Sequence, residues 1–145
     1  MIAVIQRVIN SSVVVDKTVI NEIKSGMLIL LGVAKDDTAD DVKYLTEKII
    51  NLRIFEDENG KMNRSLLEIK GDLLVVSQFT LLGDCRKGRR PSFTDAAPPE
   101  KANELYELFI EVIKKSGIFV KTGKFGAMME VHLINDGPVT FILQT

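Results

Sequence analysis

The apolar residues of this chain fall into two rhythms. Short β-branched or unbroken apolar runs mark strands at Ile2 to Val8, Val13-Val14-Val15, Thr18-Val19-Ile20, Met27 to Val33 and Leu73 to Val76. Wider spacing marks helices. Val42, Leu45, Ile49 and Leu52 lie on one face of a helix predicted over 39–52. Thr38 is its N-cap, and Asp40 and Asp41 suit the positive end of its dipole. A second helix carries Ala102, Leu105, Leu108, Phe109, Val112 and Ile113, with Pro99 in its first turn and Gly117 as its stop. "MLILLGV" and "LLVVSQFTLL" read as strands buried on both faces. "IFVKTG", "AMMEVHLI" and "VTFILQ" complete the strand set, and Asn135-Asp136-Gly137-Pro138 reads as a turn between the last two. Asp16-Lys17 makes a hairpin turn, "EDENGK" a polar turn, and Gly83 to Pro99 a long loop.

The resulting order, β-β-β-α-β-α-β-β-β, does not alternate. It predicts an α+β fold: a curved antiparallel-rich sheet or partial barrel with two main helices packed on it. No linker or repeat divides the 145 residues, so one domain over 1–145 is expected.

Composition narrows the class. With 46% hydrophobic and 27% charged residues the chain is ordinary globular material. No apolar run approaches the roughly 18 residues of a membrane span, and the first residues do not read as a secretory signal. A single cysteine, Cys85, excludes an internal disulfide and a multi-cysteine zinc site. These features together predict a cytoplasmic protein. A net charge of −1 gives no general attraction to nucleic acid, DNA included. Locally, "CRKGRR" packs Arg86, Lys87, Arg89 and Arg90 into one loop, which is either a solvated surface or a phosphate contact.

The usual enzyme signatures are missing. His132 stands alone, too few ligands for a metal, and no cofactor motif occurs. Ser77 lacks the Gly-x-Ser-x-Gly elbow, so a triad with His132 is disfavoured, and Cys85 reads as a loop residue. What stands out is polar residues where a buried strand should stay dry. Ser77, Gln78 and Thr80 follow four apolar positions, placed either for cross-strand hydrogen bonds or to surround a bound carbonyl. "FGAMM" sets small Gly126 and Ala127 beside Met128 and Met129, a pattern of core packing or of a pocket for a flat ring.

Taken jointly, "AVIQRV", "SQFTL" (Ser77 to Leu81), "RRPSF" (Arg89 to Phe93), "FGAMMEV" (Phe125 to Val131) and "NDGPVTF" (Asn135 to Phe141) closely resemble the D-aminoacyl-tRNA deacylases, in order and across essentially the whole chain. The resemblance implies a β-rich homodimer with helices outside. It implies hydrolysis of the ester between a D-amino acid, or glycine, and the 3′-terminal adenosine of tRNA, without a metal or other cofactor. By the same resemblance Ser77, Gln78, Phe79 and Thr80 hold the aminoacyl group. Gly137 and Pro138, joined by a cis bond, enter the partner's pocket and exclude L-amino acids. Phe125, Gly126, Ala127 and Met129 receive the adenosine. Asn10-Ser11-Ser12 departs from the alanine common there in the family, and the variable 82–88 loop gives Cys85 no role. Two other readings stay open: a non-catalytic module binding the tRNA end, and a dimeric scaffold with no small-molecule site.

Overall fold

The computed structural model describes residues 1–145. In chain order its elements are β1 (Ile2–Val15), β2 (Thr18–Ile23), β3 (Gly26–Gly32), α1 (Ala39–Ile50), β4 (Phe55–Glu56), β5 (Met62–Arg64), α2 (Leu66–Ile69), β6 (Asp72–Ser77), α3 (Pro99–Lys115), β7 (Val120–Thr122) and β8 (Glu130–Gln144). β1 is one 14-residue strand, so the predicted runs at Ile2 to Val8 and Val13 to Val15 are two stretches of a single element. Its first half pairs with β3 and its second with β2, while β8 follows almost its whole length on the other side. Asp16 and Lys17 turn the chain from β1 into β2, both with positive φ (49° and 64°), as a two-residue hairpin turn requires.

The α+β class holds, and the sheet is mixed: most of its pairing is antiparallel, as expected, but two pairs are parallel. β1 is antiparallel to β2, β3 and β8, whereas β3–β6 and β6–β7 are parallel. The cause lies in the connections. α1 lies between β3 and β6, and α3 between β6 and β7, each on the path that returns the chain to start the next strand in the same direction.

Curvature of the order β2-β1-β3-β6-β7 brings its two ends together. There Asn21 of β2 donates Nδ2–H to the carbonyl of Thr122 in β7 at 2.7 Å, closing a barrel-like seam. Inside lie Val8, Val13, Ile23, Leu28, Leu74 and Val76. Outside, Met27, Ile29, Leu73 and Val75 face Leu45 and Ile49 of α1 and Phe109 and Ile113 of α3. β3 and β6 are thus buried on both faces, as their unbroken apolar runs predict.

The helix signals held. Thr38 accepts from the Asp40 N–H at 3.3 Å, while Asp41 accepts from the Thr38 N–H at 2.8 Å, a reciprocal capping box. That bond holds the Asp41 carboxyl below the ordinary carboxylate range. Pro99 opens α3, and Gly117 follows its end at φ 85°.

Two local features fill out the expectation and two correct it. The polar turn is the tip of the β4–β5 hairpin, where Asp57 Oδ1 accepts from the N–H groups of Asn59 and Lys61 at 2.8 and 3.0 Å. The one-turn helix α2, capped by Ser65 and Glu68, follows it. "LLVVSQFTLL" is not one strand: β6 stops at Ser77 and Phe79–Leu82 turn into a 3-10 helix. Gly32 makes room for that turn, since a Cβ there would lie 2.6 Å from Leu82 Cδ2 and 3.0 Å from the Gln78 carbonyl. Finally, "AMMEVHLI" and "VTFILQ" are not two strands joined by a turn. β8 runs unbroken over 15 residues, and Ala127 to Met129 precede it in a loop.

Replacing Asn21 with alanine removes the side-chain bond across the seam. The expected loss is about 1 kcal/mol in urea unfolding, the usual net worth of one hydrogen bond. An unchanged midpoint would show that this bond does not hold the seam.

Candidate functional site

A cavity of about 720 Å³ opens where β3 and β6 end, between α3 and the segment joining β7 to β8. Its walls are mostly apolar, with Leu31, Val33, Val76, Ala97 and Ala102 among them. No lining residue carries a charge, and the one titratable side chain is that of Tyr106. Tyr106 is 4% exposed, and its hydroxyl donates to the Val75 carbonyl at 2.8 Å. Burial raises its pKa above the normal phenol value, so it stays neutral and bonded throughout the physiological range.

The polar end of the cavity is the break between β6 and the 3-10 turn. Gln78 N–H makes the last ladder bond, to the Leu31 carbonyl at 2.8 Å. The turn's first internal bond runs from the Leu81 N–H to the Gln78 carbonyl at 3.3 Å. The N–H groups of Phe79 and Thr80 therefore precede it, with no partner inside the turn. The Gln78 side-chain amide donates to the Thr80 hydroxyl across the same corner. Ser77 and Gln78 are half-buried, while Phe79 and Thr80 are exposed. Phe93 packs edge-to-face on Phe79, with ring centroids 5.1 Å apart.

The opposite wall comes from the loop before β8. Phe125 leans on Tyr106 at 5.8 Å, Gly126 has φ 73°, and the Met129 sulfur accepts the Lys124 N–H at 3.3 Å. Met128 stands 91% exposed at the rim. The structure thus brings Ser77, Gln78, Phe79, Thr80, Phe125, Gly126, Ala127 and Met129 to one cavity.

Gly137 and Pro138 lie elsewhere in the chain. They are not a turn but a bulge within β8. Gln6 pairs with Thr140 and Val8 with Asn135, so β8 loops out the residues between. The Gly137–Pro138 bond is cis, Gly137 has φ 136°, and both residues are exposed. Asn135 closes the bulge, accepting the Val139 N–H at 2.7 Å and donating to the Thr140 hydroxyl at 3.1 Å. Beneath it sits Arg7, 5% exposed. Its guanidinium donates to the carbonyls of Asp136 (3.1 Å) and Ile54 (2.8 Å), and also pairs with the carboxylates of Asp136 (3.2 Å) and Glu56 (3.7 Å). Along β3, Arg7 faces Met27 whereas Leu31 faces Ser77, four residues or roughly 13 Å further on. One chain therefore does not deliver its own bulge to its own cavity.

The remaining candidates lie outside the cavity. His132 is exposed on β8 beside Glu130 at 3.4 Å, and Cys85 is exposed in the loop. Asp84 and Ser92 pair at the base of the basic loop. Arg86 grips Asp84 through two bonds of 2.8 and 2.9 Å, which hold that carboxyl at about 2. This leaves Lys87, Arg89 and Arg90 as the exposed cations without a salt-bridge partner at the loop tip.

Sequence reasoning passed over Arg7, Tyr106 and Phe93. Arg7 was within reach of the strand alternation. Ala3 and Ile5 are buried, and the same period puts Arg7 on the buried face.

The sequence profile described as D-Tyr-tRNA(Tyr) deacylase matches residues 4–144. A protein of Thermosipho africanus (strain TCF52B), named D-aminoacyl-tRNA deacylase, is 61% identical over 145 residues, covering 100% of this chain and 97% of its own. A solved structure described as "c-Myc DNA Unwinding Element Binding Protein" is 43% identical, with a TM-score of 0.94 over 100% of this chain and 99% of that one. Another, "Structural Analysis of a probable eukaryotic D-amino acid tRNA deacylase", superimposes with a TM-score of 0.82 at 18% identity, covering 98% and 97%, a likeness of fold.

Replacing Arg7 with leucine strands the Ile54 carbonyl and frees the base of the bulge. A loss of about 2 kcal/mol in urea unfolding is expected, as for hydrogen bonds to a charged group. Lysine should not restore it, because one ammonium lacks the fork that reaches both carbonyls. Wild-type stability in the leucine variant would contradict this account of the clamp.

Proposed function

Because the chain belongs to the D-Tyr-tRNA(Tyr) deacylase family, we propose that this cavity hydrolyses the ester joining a D-amino acid, or glycine, to the 3′-terminal adenosine of tRNA. The observation that carries the reading is the cavity's polar corner: two backbone N–H groups without partners in their turn, at the end of an otherwise apolar chamber with no charged side chain. Such a corner suits a developing oxyanion. In this reading the N–H groups of Phe79 and Thr80 receive the ester oxygen, while Ser77 and Gln78 keep the corner in shape. Phe125, Gly126, Ala127 and Met129 hold the adenosine.

An aminoacyl ester is activated, so orientation and oxyanion stabilisation go far without a protein base. The lining offers none, since Tyr106 is committed to Val75. The ribose 2′-OH beside the ester is the natural group to orient the attacking water.

Chirality requires a wall rather than a grip, because many D-side chains must pass and every L-side chain must be refused. Backbone suits that task, and Gly137 lets it approach closely. In the proposed homodimer the partner's Gly137-Pro138 bulge enters the cavity. Support comes from two features. The bulge is exposed and does not line its own cavity, and the outer edge of β8 is unpaired while Ile134 and Ile142 are 52% and 63% exposed. Beyond Phe93, in the loop based on the Asp84–Ser92 pair, Lys87, Arg89 and Arg90 would meet acceptor-end phosphates, giving salt-dependent affinity.

The test is ester loss from matched D- and L-tyrosyl-tRNA. D-ester is expected to be cleaved and L-ester spared. Replacing the terminal 2′-OH with hydrogen should slow D-ester cleavage about a hundredfold. Affinity for the RNA should fall with salt, less steeply once Arg89 and Arg90 are neutralised. Equal cleavage of D- and L-esters, or of neither, would refute the reading.

A further inference from the structure

The rim of the cavity carries two aromatic rings, and the proposed reading uses only the backbone N–H of one of them, not the rings. Phe79 and Phe93 form an edge-to-face pair with centroids at 5.1 Å, yet they stay 57% and 38% exposed. Large rings left in water beside a cavity cost free energy unless something covers them. Phe93 also sits next to the base of the basic loop, where Asp84 and Ser92 exchange backbone bonds of 2.8 and 3.0 Å. The tip that projects from this base bears Lys87, Arg89 and Arg90, while Arg86 is neutralised by Asp84. Exposed aromatic rings flanked by unpaired cations are the combination that binds single-stranded nucleic acid. The rings stack on a base of any identity and the cations take the backbone.

We propose that the Phe79–Phe93 pair is a stacking subsite for the base of the nucleotide that precedes the terminal adenosine, with the basic tip holding its phosphate. The inference rests on the deacylase reading and adds to it the second nucleotide. The cavity then takes a dinucleotide end rather than one nucleoside. Stacking is indifferent to base identity, so the subsite recognises a free, unpaired 3′ strand rather than a sequence. Phe93 is the more informative residue to alter, because Phe79 also supplies a backbone donor. Leucine at 93 keeps apolar bulk against Gly83, where a phenylalanine carbon lies 3.0 Å from the Cβ position, and removes the aromatic face.

The experiment uses short RNA hairpins with a single-stranded 3′ end, esterified with D-tyrosine. They differ only in carrying a normal or an abasic nucleotide before the terminal adenosine, and D-tyrosyl-adenosine is the reference. In the wild-type protein the abasic hairpin should show kcat/KM about tenfold lower, the scale of one lost base–aromatic stack. In Phe93→Leu, checked for an intact fold by thermal melting, the two hairpins should differ by less than about twofold, because the interaction is already gone. Equal rates for the two hairpins in the wild-type protein, or a tenfold abasic penalty that persists in Phe93→Leu, would overturn the subsite. Those outcomes leave hydrolysis of D-tyrosyl-adenosine intact. Loss of that reference reaction in the wild-type protein would instead refute the deacylase reading and this inference with it.

Discussion

A buried guanidinium holds the most unusual backbone in this protein. Burying an unpaired charge is prohibitively costly, so Arg7 is buried only because Asp136, Ile54 and Glu56 surround it with acceptors. Through them one side chain ties β1 to the β8 bulge and to the strand entering the β4–β5 hairpin. Asn135 completes the closure from the bulge's own side. With its base fixed, the bulge shows Gly137 and Pro138 to solvent as bare backbone. In the proposed reading, a loose loop there would leave the partner's cavity able to bind but unable to refuse an L-side chain.

In the proposed dimer the cavity is the complement of that bulge. Its lining has no charge, and its one phenol is bonded to a carbonyl of the strand that leads to Ser77. In the proposed reading, the chemistry in such a place comes from the backbone and from the substrate. The 3-10 turn supplies the backbone part, and it exists because Gly32 lets the chain fold against β3 directly after β6 ends. Tyr106 links the walls of the chamber. It sits on α3, bonds to β6 and supports Phe125. The proposed mechanism asks for this rigidity, since orientation replaces acid–base catalysis.

The sequence carried much of this, unevenly. Helices α1 and α3 were legible to within a few residues because caps, first-turn proline and apolar spacing agree. The continuous runs of β3 and β6 announced burial on both faces, but not that the two strands are parallel. That depends on the path of α1, which local pattern does not encode. "SQFTLL" was misread as strand because its apolar residues suit either state, and Gly32, 46 residues earlier than Gln78, decides between them. "NDGP" has every mark of a turn. It is a bulge because β1 is long enough to pair on both sides of it, a tertiary fact that overrides local chemistry. Ser77, Gln78, Thr80 and "FGAMM" stood out locally, each with two readings open, and only the resemblance joined them in one site.

The central claim is that a complete site needs two chains, and intersubunit complementation tests it most directly. One chain would carry Ala102→Trp, which fills the cavity, and the other Gly137→Val, whose Cβ would lie 2.5 Å from Val139 Cγ2 and distort the bulge. The Ala102→Trp homodimer should be inactive, whereas the Gly137→Val homodimer should cleave D- and L-tyrosyl-tRNA alike. In an equal mixture unfolded and refolded together, half the dimers are mixed, and each mixed dimer has one intact cavity facing one intact bulge. Half of the open cavities then face an intact bulge, so L-ester cleavage should fall to about half that of the two variants refolded apart, with D-ester cleavage unchanged. Equal L-ester cleavage in the two preparations would contradict the account.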